Sequence, residues 1–350
     1  MLIDLHAHVV PERFPSAGNR ASRERWPSLD HFEPGKARVM IAGKNFRTVT
    51  DQNWSAARRL EDMAAEGVDA QVLSPMPELL SYWFTPEDAR DFGRYVNETI
   101  AGMVQASSGR FYGLGMVPLQ DADLAAKELA EVKKTGLHGV EVGSNVGGKS
   151  LGDERFLTFF QEAEAQDVAV FVHALHPTMT DRLPGVEQLS AAVAFPTDTG
   201  LTIVSLIAGG VLDTCPRLRL AFSHGGGSFP FILPRLEGFW SGGRWNGEQP
   251  PAGESPGALR QRIPRSPTEY ARRLFYDTLL FDRRAIRYLL EMVGSSQLMV
   301  GTDYPYLARE RPVSKTLRSM GLSEEEFEAI AWRNGHRFLG LSEAHPRLKA

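Results

Sequence analysis

Short apolar runs alternate with longer amphipathic segments along most of this chain. Such runs are typical of buried parallel strands, and the segments between them carry apolar residues at helical spacing. Asn53–Glu66, for example, places Leu60 and Met63 on one face, and Gly67 is suited to end that helix. The predicted strands are Leu2–His8, Asp69–Leu73, Phe111–Val117, Gly139–Val142, Val168–His173, Leu218–Ser223, Phe275–Leu279 and Leu298–Val300.

Eight strands that are each followed by a helix predict a TIM-type (β/α)8 barrel, with residues 1–350 forming a single domain. A doubly wound open sheet is the alternative, and periodicity does not separate the two. Residues 11–55 break the alternation and are rich in proline, glycine and arginine. They predict a small insertion after the first strand, with short strands at Ala37–Ala42 and Phe46–Thr50, that contributes to the cover of the active site.

Composition narrows the class of protein. The 350 residues are 42% hydrophobic and 23% charged, as is ordinary for a soluble globular enzyme. A net charge of −4 gives no basic field for nucleic acid or an anionic membrane. The single cysteine, Cys215, excludes an internal disulfide and fits the cytosol. No signal peptide is expected, and the longest apolar run, Gly200–Leu212, is predicted to be a buried helix rather than a membrane span.

Ionisable side chains gather at the ends of the predicted strands, where barrel enzymes carry their functional groups. On the first strand, His6 and His8 lie at i and i+2 and therefore point to one face, with Asp4 expected on the same side. Taken singly, each histidine could be an ordinary structural residue. Together, four histidines and one aspartate are expected on one rim, and a set of three imidazoles and one carboxylate suits Zn²⁺ or another borderline divalent ion. The candidates are His6, His8, His173, His224 and Asp303.

The sequence resembles the amidohydrolase superfamily, in the branch that contains 2-amino-3-carboxymuconate-6-semialdehyde decarboxylase and related non-oxidative decarboxylases. The resemblance covers nearly the whole chain. It implies that His6, His8, His173 and Asp303 bind the metal and that His224 is the catalytic histidine beside a metal-bound water. The stretches that carry it are Asp4–His8, Gly43–Arg47, Pro118–Asp121, Ser223–Phe229 and Gly301–Pro305.

The resemblance also implies the substrate contacts. Arg47, from the insertion, would bind a carboxylate of a small-molecule substrate, and Lys44 is a weaker candidate beside it. Arg235 would bind a carboxylate in the site of the neighbouring subunit, which implies a homodimer. From its position alone, Asp277 at the end of the seventh strand is either a group that orients a metal-binding histidine or a plain polar strand end.

Two departures from the family pattern refine the function. Many superfamily hydrolases bridge two metals with a lysine that ends strand four, but here that strand ends Glu141-Val142-Gly143. The sequence therefore predicts one divalent ion, Zn²⁺ or else Mn²⁺. The tryptophan expected within Leu183–Pro196 is missing, which leaves the substrate open. The predicted activity is decarboxylation of a small unsaturated or aromatic acid, and the alternative is hydrolysis or hydration at the same site.

A phosphate-loop pattern occurs at Gly143–Ser150, after the fourth strand. A nucleotide-binding loop runs directly into a helix, whereas the next helix is predicted to begin only at about Asp153. A polar loop is therefore the expected structure, and a nucleotide-dependent switch that uses Lys149 is the least favoured hypothesis. His176 is a rival metal ligand that lies off the strand. Tyr306 could line the pocket, but core packing is the expected use of this aromatic side chain.

Overall fold

The computed structural model describes residues 1–185, 188–242, 257–306 and 310–341. The strands, in chain order, are β1 (Ile3–Val9), β2 (Ser28–Glu33), β3 (Lys36–Ile41), β4 (Lys44–Thr50), β5 (Ala70–Pro75), β6 (Phe111–Gly115), β7 (Gly139–Gly143), β8 (Asn145–Val146), β9 (Lys149–Ser150), β10 (Ala169–His173), β11 (Leu220–Phe222), β12 (Phe275–Asp277) and β13 (Leu298–Met299).

Eight of these strands form one parallel sheet in the order β1-β5-β6-β7-β10-β11-β12-β13. The sheet curls into a nearly closed barrel, because the backbone amide of Leu5 donates to the carbonyl of Val300 at 2.8 Å and Ala7 bridges in parallel to Tyr304. All eight predicted strands are present, each within two residues of its expected bounds. The barrel prediction is confirmed, and the open-sheet alternative is wrong.

Helices surround the barrel and follow its strands. Their starts carry the expected caps; Ser55, for instance, accepts a hydrogen bond from the amide of Arg58. The α-helices are α1 (Ala56–Glu66), α2 (Pro86–Gln105), α3 (Ala122–Lys134), α4 (Leu157–Ala165), α5 (Phe195–Ala208), α6 (Val211–Thr214), α7 (Phe229–Trp240), α8 (Ala258–Arg262), α9 (Pro267–Ala271), α10 (Arg283–Val293), α11 (Lys315–Arg318), α12 (Glu324–Glu328) and α13 (Asn334–Leu339).

The insertion after β1 is a three-stranded antiparallel sheet in the order β2-β3-β4. Two of its strands are those predicted, and β2 is an additional one. The sequence of β2, Ser-Leu-Asp-His-Phe-Glu, is largely exposed and offers too little apolar alternation to signal a strand. Residues 241–267 are rich in glycine, proline and arginine, which predicts an exposed excursion, but most of them, residues 243–256, lie outside the described ranges.

A register shift in β1 corrects the expectation for Asp4. Asp4 pairs with Gln71 and His8 pairs with Ser74. Since Gln71 and Ser74 are three residues apart on one strand, their side chains face opposite ways, and so do those of Asp4 and His8. Asp4 instead accepts hydrogen bonds from Gln71 at 3.0 Å and from Thr302 at 2.7 Å. It thus supports β1 from the face away from the histidines.

One helical stretch, Ser190–Ala208, is long and apolar enough to cross a membrane by length and composition alone. It joins a π-helical turn at Ser190–Ala194 to α5. Ile203, Leu206 and Ile207 of this stretch belong to the main apolar core. Core helices of soluble proteins pass the same test.

Candidate active site

Four side chains converge at the carboxyl end of the barrel. The Nε2 atoms of His6 and His8 are 3.1 Å apart, and Oδ1 of Asp303 lies 3.0 Å from Nε2 of His8 and 3.7 Å from Nε2 of His6. With His173, they offer four ligand atoms that all lie within 4.8 Å of one another. The structure therefore brings together all four predicted metal ligands. His176, the rival candidate, instead points to Glu78 on the rim.

Each imidazole in this group is held through its other nitrogen. Nδ1 of His6 lies 2.7 Å from Asp277, Nδ1 of His8 lies 3.0 Å from the carbonyl of Pro75, and Nδ1 of His173 lies 2.8 Å from the carbonyl of Ala174. These acceptors require a proton on Nδ1, which leaves Nε2 as the atom that can bind a metal. The anchoring partners thus fix the ring orientation that a metal site needs.

The chemistry of this donor set fits a divalent cation. Nε2 of His173 is buried and has no hydrogen-bond partner within the described parts of the chain. Burial lowers the pKa of His173 well below its ordinary value. Burial alone would raise the pKa of Asp303, but its hydrogen bond to His8 and the nearby histidines lower it. With its proton on Nδ1, a neutral imidazole presents only an acceptor, Nε2, to the cluster, and the carboxylate also presents acceptors only, so a cation satisfies them together.

His6 is the exception, since it holds a proton. Burial disfavours its charged form, but the hydrogen bond and charge of Asp277 outweigh this effect and raise the pKa of His6 to about 9. The proton would lie on Nε2, between His6 and His8. A divalent cation takes the place of such a proton when it binds.

Asp277 joins the metal ligands to the candidate catalytic histidine. Its Oδ2 faces His6, and its Oδ1 accepts a hydrogen bond of 2.9 Å from the amide of Gly225, the residue after His224. Of the two interpretations of Asp277, the orienting group is therefore the one that the geometry fits. The ring of His224 lies 5.1 Å from that of His173 and 5.3 Å from that of His6, between centroids. Burial lowers the pKa of His224, so its imidazole is neutral near pH 7.

The turn that carries His224 depends on glycine. Gly225, Gly226 and Gly227 all have positive φ, a region that residues with a Cβ avoid. A Cβ on Gly227 would lie 2.1 Å from the carbonyl oxygen of Pro196. The glycine run therefore allows the close backbone approach that holds His224 beside the cluster.

The predicted substrate residues take different positions. Arg47 lies over the ring of Tyr306 at 4.2 Å, and Tyr306 stacks on His8 with 5.7 Å between centroids. Arg47 therefore lies beside the metal cluster. Lys44 is exposed at the hairpin turn that begins β4, and no contact of it with the cluster is seen in the described parts of the chain. Arg235 is exposed on α7, with its guanidinium over Phe239 of the same helix.

Comparison with known proteins places these residues in a family. Residues 3–341 match the amidohydrolase family. The chain belongs to this family. It is 36% identical, over 97% of its length and 91% of the relative's, to 2-amino-3-carboxymuconate-6-semialdehyde decarboxylase of Dictyostelium discoideum.

Solved structures share the amidohydrolase fold of this chain. The apo form of IDCase from Metarhizium anisopliae has a TM-score of 0.81 at 20% identity and covers 98% of each chain. A dihydroxybenzoic acid decarboxylase from Polaromonas, solved with bound manganese and 2-nitroresorcinol, has a TM-score of 0.70 at 20% identity and covers 97% of this chain and 96% of the other. Both likenesses support the amidohydrolase barrel observed here.

β7 ends without the lysine that bridges two metals in many superfamily hydrolases, and its one ionisable side chain is that of Glu141, in the middle of the strand. This side chain is fully buried, with Oε2 3.7 Å from Nδ1 of His8. Burial raises the pKa of Glu141 to about 7. Within residues 1–185, 188–242, 257–306 and 310–341, the group of His6, His8, His173 and Asp303 is the one cluster of three or more metal-type side chains. This agrees with the predicted site for a single ion.

The phosphate-loop pattern of this amidohydrolase forms a hairpin. Its residues end β7 and make β8 and β9; the side chains of Ser144 and Asn145 form hydrogen bonds within the protein, and Lys149 is exposed. The hydroxyl of Ser144 donates to Asp198 at 2.5 Å, and the side-chain nitrogen of Asn145, Nδ2, donates to the same carboxylate at 3.0 Å. The predicted polar loop after the fourth strand is confirmed as a short hairpin rather than a loop-to-helix phosphate cradle.

Phe195 was not predicted at the site, and for Tyr306 core packing was favoured over a place in the lining of the pocket. Phe195, at the start of α5, meets the ring of His173 edge-on at 6.4 Å. It lies inside Leu183–Pro196, the stretch in which a tryptophan was expected. The presence of another aromatic residue there could have indicated a place at the site. Tyr306, assigned to core packing, contacts both His8 and Arg47. Its position two residues after Tyr304 gave no indication of these contacts, because they join it to distant parts of the chain.

Proposed function

We propose that this protein is a metal-dependent non-oxidative decarboxylase of a small unsaturated or aromatic carboxylic acid. The observation that carries the proposal is the 36% identity to a decarboxylase over 97% of the chain, in a protein that retains a complete metal-type cluster. Relatives further away also decarboxylate aromatic acids; the Polaromonas protein named gamma-resorcylate decarboxylase is 24% identical over 89% of the chain.

His6, His8, His173 and Asp303 are the residues that would hold the ion. When bound, a divalent cation supplies a Lewis acid that stabilises negative charge developing on the substrate. Three imidazoles and one carboxylate favour Zn²⁺, and the manganese of the Polaromonas structure supports Mn²⁺ as the alternative. Metal analysis of the purified protein should give about one divalent ion per chain, since there is one such ligand set. Two ions per chain would contradict this assignment.

The chain's own residues handle the carboxylate and the proton. Arg47 has a planar guanidinium that suits a carboxylate of the substrate, and it lies beside the cluster over Tyr306. In the reaction the bond from carbon to the carboxylate breaks, its electron pair stays on the carbon, and CO₂ leaves. A proton must then reach that carbon. His224, neutral and next to the cluster, can take a proton from solvent and deliver it there.

A product assay tests this function against its alternative. Metal-loaded protein is incubated with 2-amino-3-carboxymuconate 6-semialdehyde, 2,6-dihydroxybenzoate and 5-carboxyvanillate, and CO₂ and product mass are followed. Loss of the mass of CO₂ from one of these acids is the expected result. A product equal to substrate plus water, without CO₂, would show a hydrolase or hydratase instead.

We further propose a homodimer in which Arg235 reaches the neighbouring site. An exposed apolar face supports this: Phe231 on the helix of Arg235 is 82% exposed, and Leu201 on α5 is 50% exposed. The two helices pack together, since Gly200 lies against Ser228 where α7 begins. Large exposed apolar side chains on two packed helices fit a surface that a second subunit covers.

Mixing two inactive variants tests the shared site. In a dimer of His224→Ala with Arg235→Ala, one of the two sites keeps both residues. Random exchange should therefore restore roughly a quarter of the wild-type activity under two-fold symmetry. No recovery after exchange, or a monomer by sedimentation, would rule out the shared site. The cytosolic location suggested by the lone cysteine stays a prediction.

A further inference from the structure

Tyr306 stands between the metal cluster and the insertion. Its ring stacks on the imidazole of His8 with an interplanar angle of 23°, and the guanidinium carbon of Arg47 lies 4.2 Å from its centroid. The residue is three positions after Asp303 on the same loop. A single short segment thus supplies both a metal ligand and a surface beneath the arginine.

A hydrogen bond fixes the same ring from the insertion side. The side-chain nitrogen of Asn53, Nδ2, donates a hydrogen bond of 2.9 Å to the hydroxyl of Tyr306. The amide oxygen of Asn53 accepts a hydrogen bond from the backbone amide of Thr50, which ends the strand that carries Arg47. Tyr306 therefore meets this part of the insertion at two points, and both lie on or next to β4.

We propose that Tyr306 is the positioning residue that holds Arg47 in place to bind the substrate carboxylate. Arg47 is an exposed side chain on a strand of a small sheet, and an exposed arginine loses much side-chain entropy when a ligand fixes it. The aromatic face beneath its guanidinium favours one orientation before the substrate arrives. The proposal rests on the proposed function only in that Arg47 binds a carboxylate.

The alternative is that Tyr306 merely fills space over His8. In that case its ring would support the metal, and removing it would lower metal content or kcat. If it positions Arg47, its loss should raise KM while metal content and kcat change little. The two roles therefore differ in which measured quantity moves.

The test is a double-mutant cycle on the metal-loaded protein with Arg47→Ala, Tyr306→Leu and both together. Tyr306→Leu should raise KM by about 3- to 30-fold, the effect of losing a cation–π contact of ordinary strength. Tyr306→Phe keeps the ring and should stay within about threefold of wild type, since it loses one neutral hydrogen bond. Phe327→Leu is the matched control, because Arg318 also lies 4.2 Å over that ring but on the distant C-terminal helices. It should leave KM unchanged.

In the double variant, KM should be no higher than in Arg47→Ala alone, because Tyr306 acts through Arg47. Effects that multiply would overturn the proposal, as would loss of the metal in Tyr306→Leu. Titration calorimetry with phthalate, an unreactive aromatic dicarboxylate, separates this inference from the proposed function. Binding that weakens equally in the two single variants, without CO₂ release from any acid, would leave the inference standing and refute the decarboxylase. Failure of wild-type protein in both assays would overturn both.

Discussion

Asp277→Asn should weaken metal binding although Asp277 is not one of the four side chains that would hold the ion. The carboxylate has one oxygen 2.7 Å from Nδ1 of His6 and the other 2.9 Å from the amide of Gly225. In the variant, the amide oxygen can still accept from Gly225, and the NH₂ group then faces Nδ1. Because two donors cannot face each other, the neutral imidazole of the variant keeps its single proton on Nε2 instead of Nδ1, and Nε2 is the atom that has to be bare to bind a cation.

The expected loss of metal affinity is about 10- to 100-fold, the usual effect of removing a partner that orients a metal-binding histidine. That range corresponds to about 1.4–2.8 kcal/mol of binding free energy. Folding stability of the metal-free protein should also fall, by about 1.5–3 kcal/mol, because a buried charge-assisted hydrogen bond is lost.

Metal affinity would be measured by competition with a chromophoric chelator, and stability by urea unfolding of the metal-free protein. Asp198→Asn is the matched control, since Asp198 is equally buried and accepts hydrogen bonds from Ser144 and Asn145 but touches no metal ligand. It should lose stability and keep metal affinity. An Asp277→Asn protein that binds metal as tightly as wild type would refute the tautomer argument.

Three further predictions concern pH, the hairpin and the glycine turn. Because the pKa of His6 is raised to about 9 in the metal-free site, binding an ion must release its proton. Apparent metal affinity should therefore rise by up to about tenfold per pH unit from pH 7 and level off above about pH 9; a flat profile in chelator competition would contradict this. Lys149→Ala should keep full activity and His173→Ala should abolish it, whereas the reverse would revive the nucleotide hypothesis. Gly227→Ala should destabilise the protein by at least about 2 kcal/mol, since its Cβ would meet a backbone oxygen. Gly147→Ala, at a similar positive φ in open space, should cost only about 1 kcal/mol in the same unfolding assay, and equal losses would show that the close approach is unimportant.

The strands and the candidate ligands at their ends could be predicted because each depends on local pattern, whereas the resemblance to the family, not the pattern, separated the four metal ligands from His224. A buried parallel strand is a short apolar run, and a barrel places the residue at its end on one rim. His173 and Asp303 are 130 residues apart in sequence, yet both follow such runs and both reach the cluster.

Contacts between elements could not be predicted in this way. The hydrogen bond between His6 and Asp277 joins residues 271 positions apart, and the hydrophobic pattern of the sequence does not indicate such a contact. The register shift that turns Asp4 away from the cluster is a property of the pairing between β1 and β5, not of either strand alone. The role of Tyr306 depends on how the insertion folds over the barrel, which its composition does not indicate.

Backbone strain also collects where the chemistry is expected. His224 and Asp303 adopt φ values of 54° and 57°, in the left-handed region that residues with a Cβ seldom occupy. A residue keeps such a strained backbone conformation only where its surroundings restrain it, and the structure shows the restraining interactions. The turn of His224 is fixed by the hydrogen bond from Gly225 to Asp277, and Asp303 is fixed by its contact with His8. Asp277 and His8 also orient or form the metal cluster. The interactions that restrain the two strained residues are therefore the same ones that build the site, so a change that loosens one is expected to disturb the other.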